Sequence, residues 1–231
     1  MMEFTRNALL IVALLTLAPA AQVYAWEVEY DASAGLLPTA ASPAWQVFLR
    51  NDPTPTVSDG ALRIQHVSPQ GEVEYSREGW KIDKGVPVTA EASVRIASAY
   101  VVAPCLSIQT KGALLYIAVY TDHMEASPGV CGSWSFSGDF TSFRKLRIAY
   151  DGGSRAYAWV DQQLAFSWLL SGSAGQNGVS FGAHWGAGTS DSYWQSVGYS
   201  KAYLPLPEPS ALLALLTGLG GLGGMIWRRR R

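Results

Sequence analysis

Between residues 26 and 206, apolar and polar side chains alternate in short runs. Gly, Pro, Asp and Ser break these runs at intervals of roughly 8–15 residues, the rhythm of strands joined by turns. In Glu91-Ala92-Ser93-Val94-Arg95-Ile96 the even positions are apolar and the odd ones polar. In Arg144–Tyr150, Leu146, Ile148 and Tyr150 share one face while Lys145 and Arg147 share the other. Leu62 and Ile64 likewise oppose Arg63 and Gln65. The pattern predicts strands at 26–30, 45–50, 61–67, 73–77, 88–96, 106–110 and 114–120. Further strands are predicted at 133–136, 144–150, 156–160, 163–168, 179–184 and 193–199. Each would have one buried and one wet face. With tight turns such as Asp59-Gly60 and Asp151-Gly152-Gly153, the pattern predicts an all-β antiparallel sandwich or jelly roll. No stretch in this region has convincing helical periodicity.

The two ends follow other rules. Residues 1–25 combine Arg6, an apolar run from Ala8 to Ala18 too short for a bilayer of ~30 Å, and Val23-Tyr24-Ala25. That is the layout of a secretory signal peptide cut after Ala25. At the other end, residues 207–231 open with Pro207-Glu208-Pro209. Ser210–Trp227 then runs 18 residues without a charge, just long enough to span a membrane, and Arg228, Arg229, Arg230 and Arg231 end the chain. The arginines favour the cytoplasmic side, and Trp227 fits an interfacial anchor. Together, Pro-Glu-Pro, one apolar helix and a basic end resemble the PEP-CTERM sorting signal. That resemblance implies an exosortase as partner, with processing near Pro207–Ser210. It also implies an exported protein held in the inner membrane by its C-terminal helix, then moved to the cell surface or extracellular matrix.

The middle, 26–206, reads as one domain. Four pieces of it, in order, resemble the concanavalin A-like lectin/glucanase superfamily, including its laminin-G-like members. They are Asp59–Ile64; Ala92–Ile96; Arg144–Tyr150 with Ala156–Asp161; and Val179–Gly182 with Ser192–Tyr199. The hairpin ending in Val160-Asp161 is similar to the superfamily's Val-Asp-Gly turn, with Gln162 in the place of glycine. The resemblance implies a jelly roll that binds or cleaves glycans, and often a calcium ion held by loop carboxylates.

Composition narrows the chemistry. Residues 26–206 carry 12 Lys and Arg against 16 Asp and Glu, so no basic nucleic-acid footprint covers the domain. Only 15% of the chain is charged, and aromatics make up 12%, which excludes disorder. The two cysteines, Cys105 and Cys131, predict one disulfide in an oxidising compartment, adding roughly 3 kcal/mol by loop closure. His66, His123 and His184 are scattered, and no metal site is assigned. Asp122, Glu125 and Asp191 fall in predicted loops and leave calcium open without assigning it.

Retaining glycosidases need two carboxyl groups about 5–5.5 Å apart, which residues i and i+2 of a strand can supply. Glu27-Val28-Glu29-Tyr30-Asp31 and Glu72-Val73-Glu74 with Glu78 have that spacing. Both are read as strand-edge charges that discourage edge pairing, and no catalytic residue is assigned. For sugar recognition, the loop Gly186–Ser192 between Trp185 and Trp194 is polar and edged by aromatics. It nominates Trp185, Asp191, Tyr193 and Trp194 as carbohydrate contacts. Tyr157 and Trp159 share a second strand face. The function expected is a non-enzymatic, surface-sorted protein that binds or organises extracellular polysaccharide. The alternatives are a glycan-cleaving enzyme of the same superfamily and a structural matrix protein without a specific ligand.

Overall fold

The computed structural model describes residues 26–77, 83, 85–110, 113–127, 134–169, 178–183 and 188–204. The signal read at 1–25, the tail read at 207–231, Cys131 and Trp185 lie outside the described residues. Among the described residues, no helix is long and apolar enough to cross a membrane.

Fifteen strands are described: β1 Val28–Asp31, β2 Gln46–Arg50, β3 Thr56–Ser58, β4 Ala61–His66, β5 Glu72–Ser76, β6 Val88–Tyr100, β7 Pro104–Thr110, β8 Ala113–Val119, β9 His123–Ser127, β10 Trp134–Ser137, β11 Arg144–Tyr150, β12 Arg155–Val160, β13 Gln163–Leu169, β14 Gly178–Ala183 and β15 Thr189–Ser200. They form two antiparallel sheets. An eight-stranded sheet has the order β13-β12-β11-β6-β15-β4-β3, with β1 also paired to β15. A seven-stranded sheet has the order β10-β9-β8-β7-β14-β5-β2. Long β6 and β15 pair along most of their length and form the spine of the larger sheet. This is the jelly-roll sandwich that the alternation predicts.

The period of two explains the layers. Ala90, Ala92, Val94 and Ile96 of β6 face the other sheet and are fully buried, while Glu91, Ser93 and Arg95 face outward. Leu146, Ile148 and Tyr150 of β11 do the same against Lys145 and Arg147. From the seven-stranded sheet, Leu106, Ile108, Leu115, Ile117 and Phe181 complete the interior. Phe181 is its aromatic hub. Trp45 meets its ring edge-on at 5.1 Å, Tyr75 stacks at 5.4 Å and Trp194 packs tilted at 5.1 Å. Such pairs add to area burial.

The turns obey their chemistry. Asp59 and Gly60 both have positive φ and close the two-residue β3–β4 hairpin, as the Asp-Gly signal predicts. Asp161 and Gln162 close β12–β13 in the same way, with φ of 47° and 81°. Gln162 thus adopts a left-handed backbone that glycine takes at less steric cost.

Three expectations need correction. Strands β3 and β9 were not predicted. In β9 only Met124 and Ala126 turn inward, too weak an apolar signal to read. Residues 189–192, predicted as loop, belong to β15, because their backbone pairs with both β4 and β6. Trp194 is core rather than rim: it is fully buried, and its indole N–H donates to Ser192 Oγ at 3.0 Å. Cys131, the expected disulfide partner, lies outside the described residues, and Cys105 is a free, buried thiol. It lies on β7 between Gly182 and Ala118, with Tyr116 as side-chain partner. Burial, reinforced by Glu74 and Glu72, pushes its thiol well above the usual range.

Candidate glycan-binding face

The outward face of the eight-stranded sheet is built from the polar positions of β6, β11 and β15. Register sets its rows. One row runs Gly198, Glu91, Arg147 and Trp159 across β15, β6, β11 and β12. The next brings Ser196, Ser93 and Lys145 side by side. A third sets Arg63, Tyr193 and Arg95 across β4, β15 and β6. Each row is legible as polar parity within its strand, but the adjacency comes from β6 lying between β11 and β15.

Between the first two rows opens a pocket of about 290 Å³, lined by Glu91, Lys145, Arg147, Asp161 and Gln162. All five lining side chains carry hydrogen-bonding groups. Arg147 Nε donates to Glu91 Oε2 at 2.8 Å, and its second nitrogen approaches the same oxygen at 2.6 Å. A third donor of Arg147 reaches Leu204 O at 3.1 Å, and its guanidinium lies 5.7 Å from the Trp26 ring centre. Trp26 packs over Gly198, where an added Cβ would sit 2.7 Å from the indole. Asp161 is fixed as firmly: its carboxylate accepts Lys145 N–H at 2.8 Å and pairs with Arg144 Nε at 2.8 Å. The pocket walls are therefore held by ion pairs rather than left to loop motion. Trp159 pairs directly across from Arg147 and stacks with Tyr157 at 5.8 Å, but at 4% exposure it offers no free ring face to a ligand.

Two of the nominated sugar contacts lie on the same face. Asp191 accepts both Arg63 Nε at 3.0 Å and an Arg63 terminal nitrogen at 2.6 Å, a bidentate pair. That bond holds Arg63 above its ordinary pKa. Tyr193 stands between two guanidinium groups, Arg63 at 5.6 Å and Arg95 at 4.1 Å from its ring centre. Its ring is engaged by cations from both flanking strands. Gln195 Oε1 accepts from Ser93 Oγ at 2.9 Å. Of the four nominated residues, Asp191 and Tyr193 sit together here, Trp194 points into the core and Trp185 is outside the described residues.

The outward face of the seven-stranded sheet differs. Its middle strand β7 presents Cys105, Ser107 and Gln109, and Ser107 Oγ lies 2.7 Å from Ser180 Oγ. Glu72 and Glu74 share the outer face of β5, which borders the edge strand β2. Asp122 and Glu125 both engage the His123 ring, at 2.7 and 3.6 Å. Asp191 lies on the other sheet, so the three carboxylates considered for calcium are not gathered, and no cluster of three potential ligands occurs among the described residues.

No family model matches this chain, and no curated protein does. Solved structures match its fold. One is a sialidase, with TM-score 0.60 and 8% identity over 77% of this chain and 18% of that one. Another is the botulinum neurotoxin serotype G binding domain, with TM-score 0.57 and 10% identity over 83% of this chain and 51% of that one. A third is the Bacillus licheniformis β-glucanase, with TM-score 0.53 and 13% identity over 68% of this chain and 92% of that one. The chain spans about half the length of the neurotoxin structure. These likenesses show the fold alone, a sandwich of two antiparallel sheets consistent with a jelly roll.

Proposed function

We propose that this chain is an exported, surface-sorted protein whose sandwich binds extracellular polysaccharide without cleaving it. The observation that carries the reading is the pocket of about 290 Å³ whose lining, among the described residues, consists of five side chains that all offer hydrogen-bonding groups. Sugars present hydroxyls in many directions and one apolar ring face. A pocket walled by hydrogen-bonding side chains meets the first demand, whereas drug-like ligands call for mostly apolar walls. The jelly-roll fold is compatible with this role, since structures sharing it include a glucanase and a sialidase. Export rests on the sequence of residues 1–25, and sorting by an exosortase on Pro207-Glu208-Pro209, the apolar span and Arg228–Arg231.

The non-enzymatic reading rests on β7. The centre of the seven-stranded sheet carries a thiol, a hydroxyl and an amide outward, with no carboxylate. A second reading, glycan cleavage, is favoured by Glu72 and Glu74 sharing the outer face of β5. One experiment separates them. The purified chain is presented with a panel of bacterial polysaccharides while reducing-sugar release is measured in parallel. Binding without release, weakened by Gln162→Ala, supports the proposal. Release that disappears in Glu74→Gln establishes the second reading. Absence of binding to any polysaccharide refutes both.

A further inference from the structure

The cations of the outward face are unequally used. Arg63 and Arg147 each hold a carboxylate of that face, Asp191 and Glu91, and Arg144 holds Asp161 at its margin. Arg95 and Lys145 make no ion pair among the described residues. They are diagonal neighbours: Lys145 faces Ser93 across the β6–β11 ladder, two residues from Arg95 on the same face. Arg95 is also held in place. Its guanidinium lies 4.1 Å from the Tyr193 ring centre and 5.5 Å from that of Phe143. Its Nε is buried without an acceptor. Arg95 remains partly exposed, so an anion can meet its charge from the solvent side of the sheet. Ser93 and Gln195, bonded to each other, lie alongside and offer further polar atoms.

We infer that Arg95 and Lys145 form a subsite for an acidic sugar, a uronate carboxylate or a sulfate ester, at the margin of the pocket. Lys145 lines that pocket, so one polymer can place neutral hydroxyls against Glu91, Asp161 and Gln162 and its anionic group against Arg95. The inference rests on the glycan-binding reading and names the class of glycan. Non-specific attraction does not account for such binding, because the domain as a whole carries four more acidic than basic residues and repels polyanions at long range. Affinity for an acidic polymer has to come from a local site.

The test compares polygalacturonate with its carboxyl-reduced, neutral counterpart, and with polyglutamate as a charged polymer without sugar. Binding of the purified full-length chain is measured at low and high salt. The acidic polysaccharide is expected to bind about tenfold tighter than the neutral one, the scale of one charge-assisted contact, with the advantage shrinking as salt rises. Arg95→Gln and Lys145→Gln should each remove most of that advantage. Arg155→Gln, which deletes an exposed cation outside the subsite, should leave it intact. Lys145 is exposed, so its variant tests the subsite without threatening the fold. Equal binding of both polysaccharides overturns the inference and leaves glycan binding standing. Absence of binding to either overturns both. Acidic binding untouched by both variants, or equal binding of polyglutamate, overturns the assignment to Arg95 and Lys145.

Discussion

Replacing Trp194 by alanine separates a core indole from a sugar-stacking one, because the two roles predict opposite readouts. The ring is fully buried, packs against Phe181 at 5.1 Å and donates to Ser192 Oγ at 3.0 Å. A buried Trp removes roughly 200 Å² from water, worth about 5 kcal/mol at 25 cal/mol per Å², and this is an upper bound because unfolded chains are already partly collapsed. Measured Trp-to-Ala losses of about 3–5 kcal/mol agree. The hydrogen bond changes this little, since Ser192 keeps Ile64 O as its acceptor at 3.4 Å. For a domain of this size each kcal/mol moves Tm by about 2–4 °C, so the melt should fall by roughly 6–20 °C. Differential scanning calorimetry and urea melts of the variant give both numbers. Folded variant measured at low temperature should still bind polysaccharide. A loss below about 1 kcal/mol, together with abolished binding, would refute the core assignment and return Trp194 to the ligand.

Gln162 holds φ of 81°, a left-handed backbone that costs side-chain-bearing residues about 1–2 kcal/mol. Gln162→Gly should therefore stabilise the hairpin by up to about 1 kcal/mol in urea melts while weakening polysaccharide binding, and a variant that loses stability would contradict the strain argument. Cys105 should resist maleimide at pH 8 in the folded protein and react after unfolding, read by peptide mapping, because its thiol is buried and its pKa raised. Burial raises Tyr75 and Tyr203 to about 12, so unfolded tyrosines ionise first. Stability present below pH ~10 should decline as pH rises from about 10 to 12, and a melt flat across that window would count against the burial. For the tail, Glu208→Ala should stop C-terminal processing near Pro207–Ser210 in a host with a matching exosortase. Mass spectrometry that finds Arg228–Arg231 still attached to most of the mature wild-type protein would reduce the tail to an ordinary anchor.

Local alternation carried most of the fold. Arg144–Tyr150 has the bounds read from its pattern, and Asp59-Gly60 closes the hairpin its residue types call for. Misreadings arose where the pattern is shared between roles. Trp194 next to a Gly/Ser-rich run looks like a rim residue, yet β15 starts at Thr189, and Trp194 falls on the same parity as Ser190 and Ser192, both buried. The site itself was only half legible. Lys145 and Arg147 were visible on one face of their strand, and so was Arg95. What joins them is the placement of β6 between β11 and β15, separated in sequence by some 50 and 100 residues. Non-local pairing of that kind leaves no trace in a single strand's period.

The same face also gathers the two ends of the domain. Glu27 N–H bonds Tyr199 O at 3.1 Å, and the Glu27 carboxylate accepts Lys201 N–H at 2.8 Å. Trp26 lies over Gly198, and Leu204 O is held by Arg147, a residue of the pocket wall. One guanidinium therefore bonds the pocket's Glu91 and Leu204 O and lies against the Trp26 ring. Arg147 then links three tasks, and its loss should cost stability and glycan binding together. Loss of Lys145, which bonds neither end through its side chain, should cost binding alone.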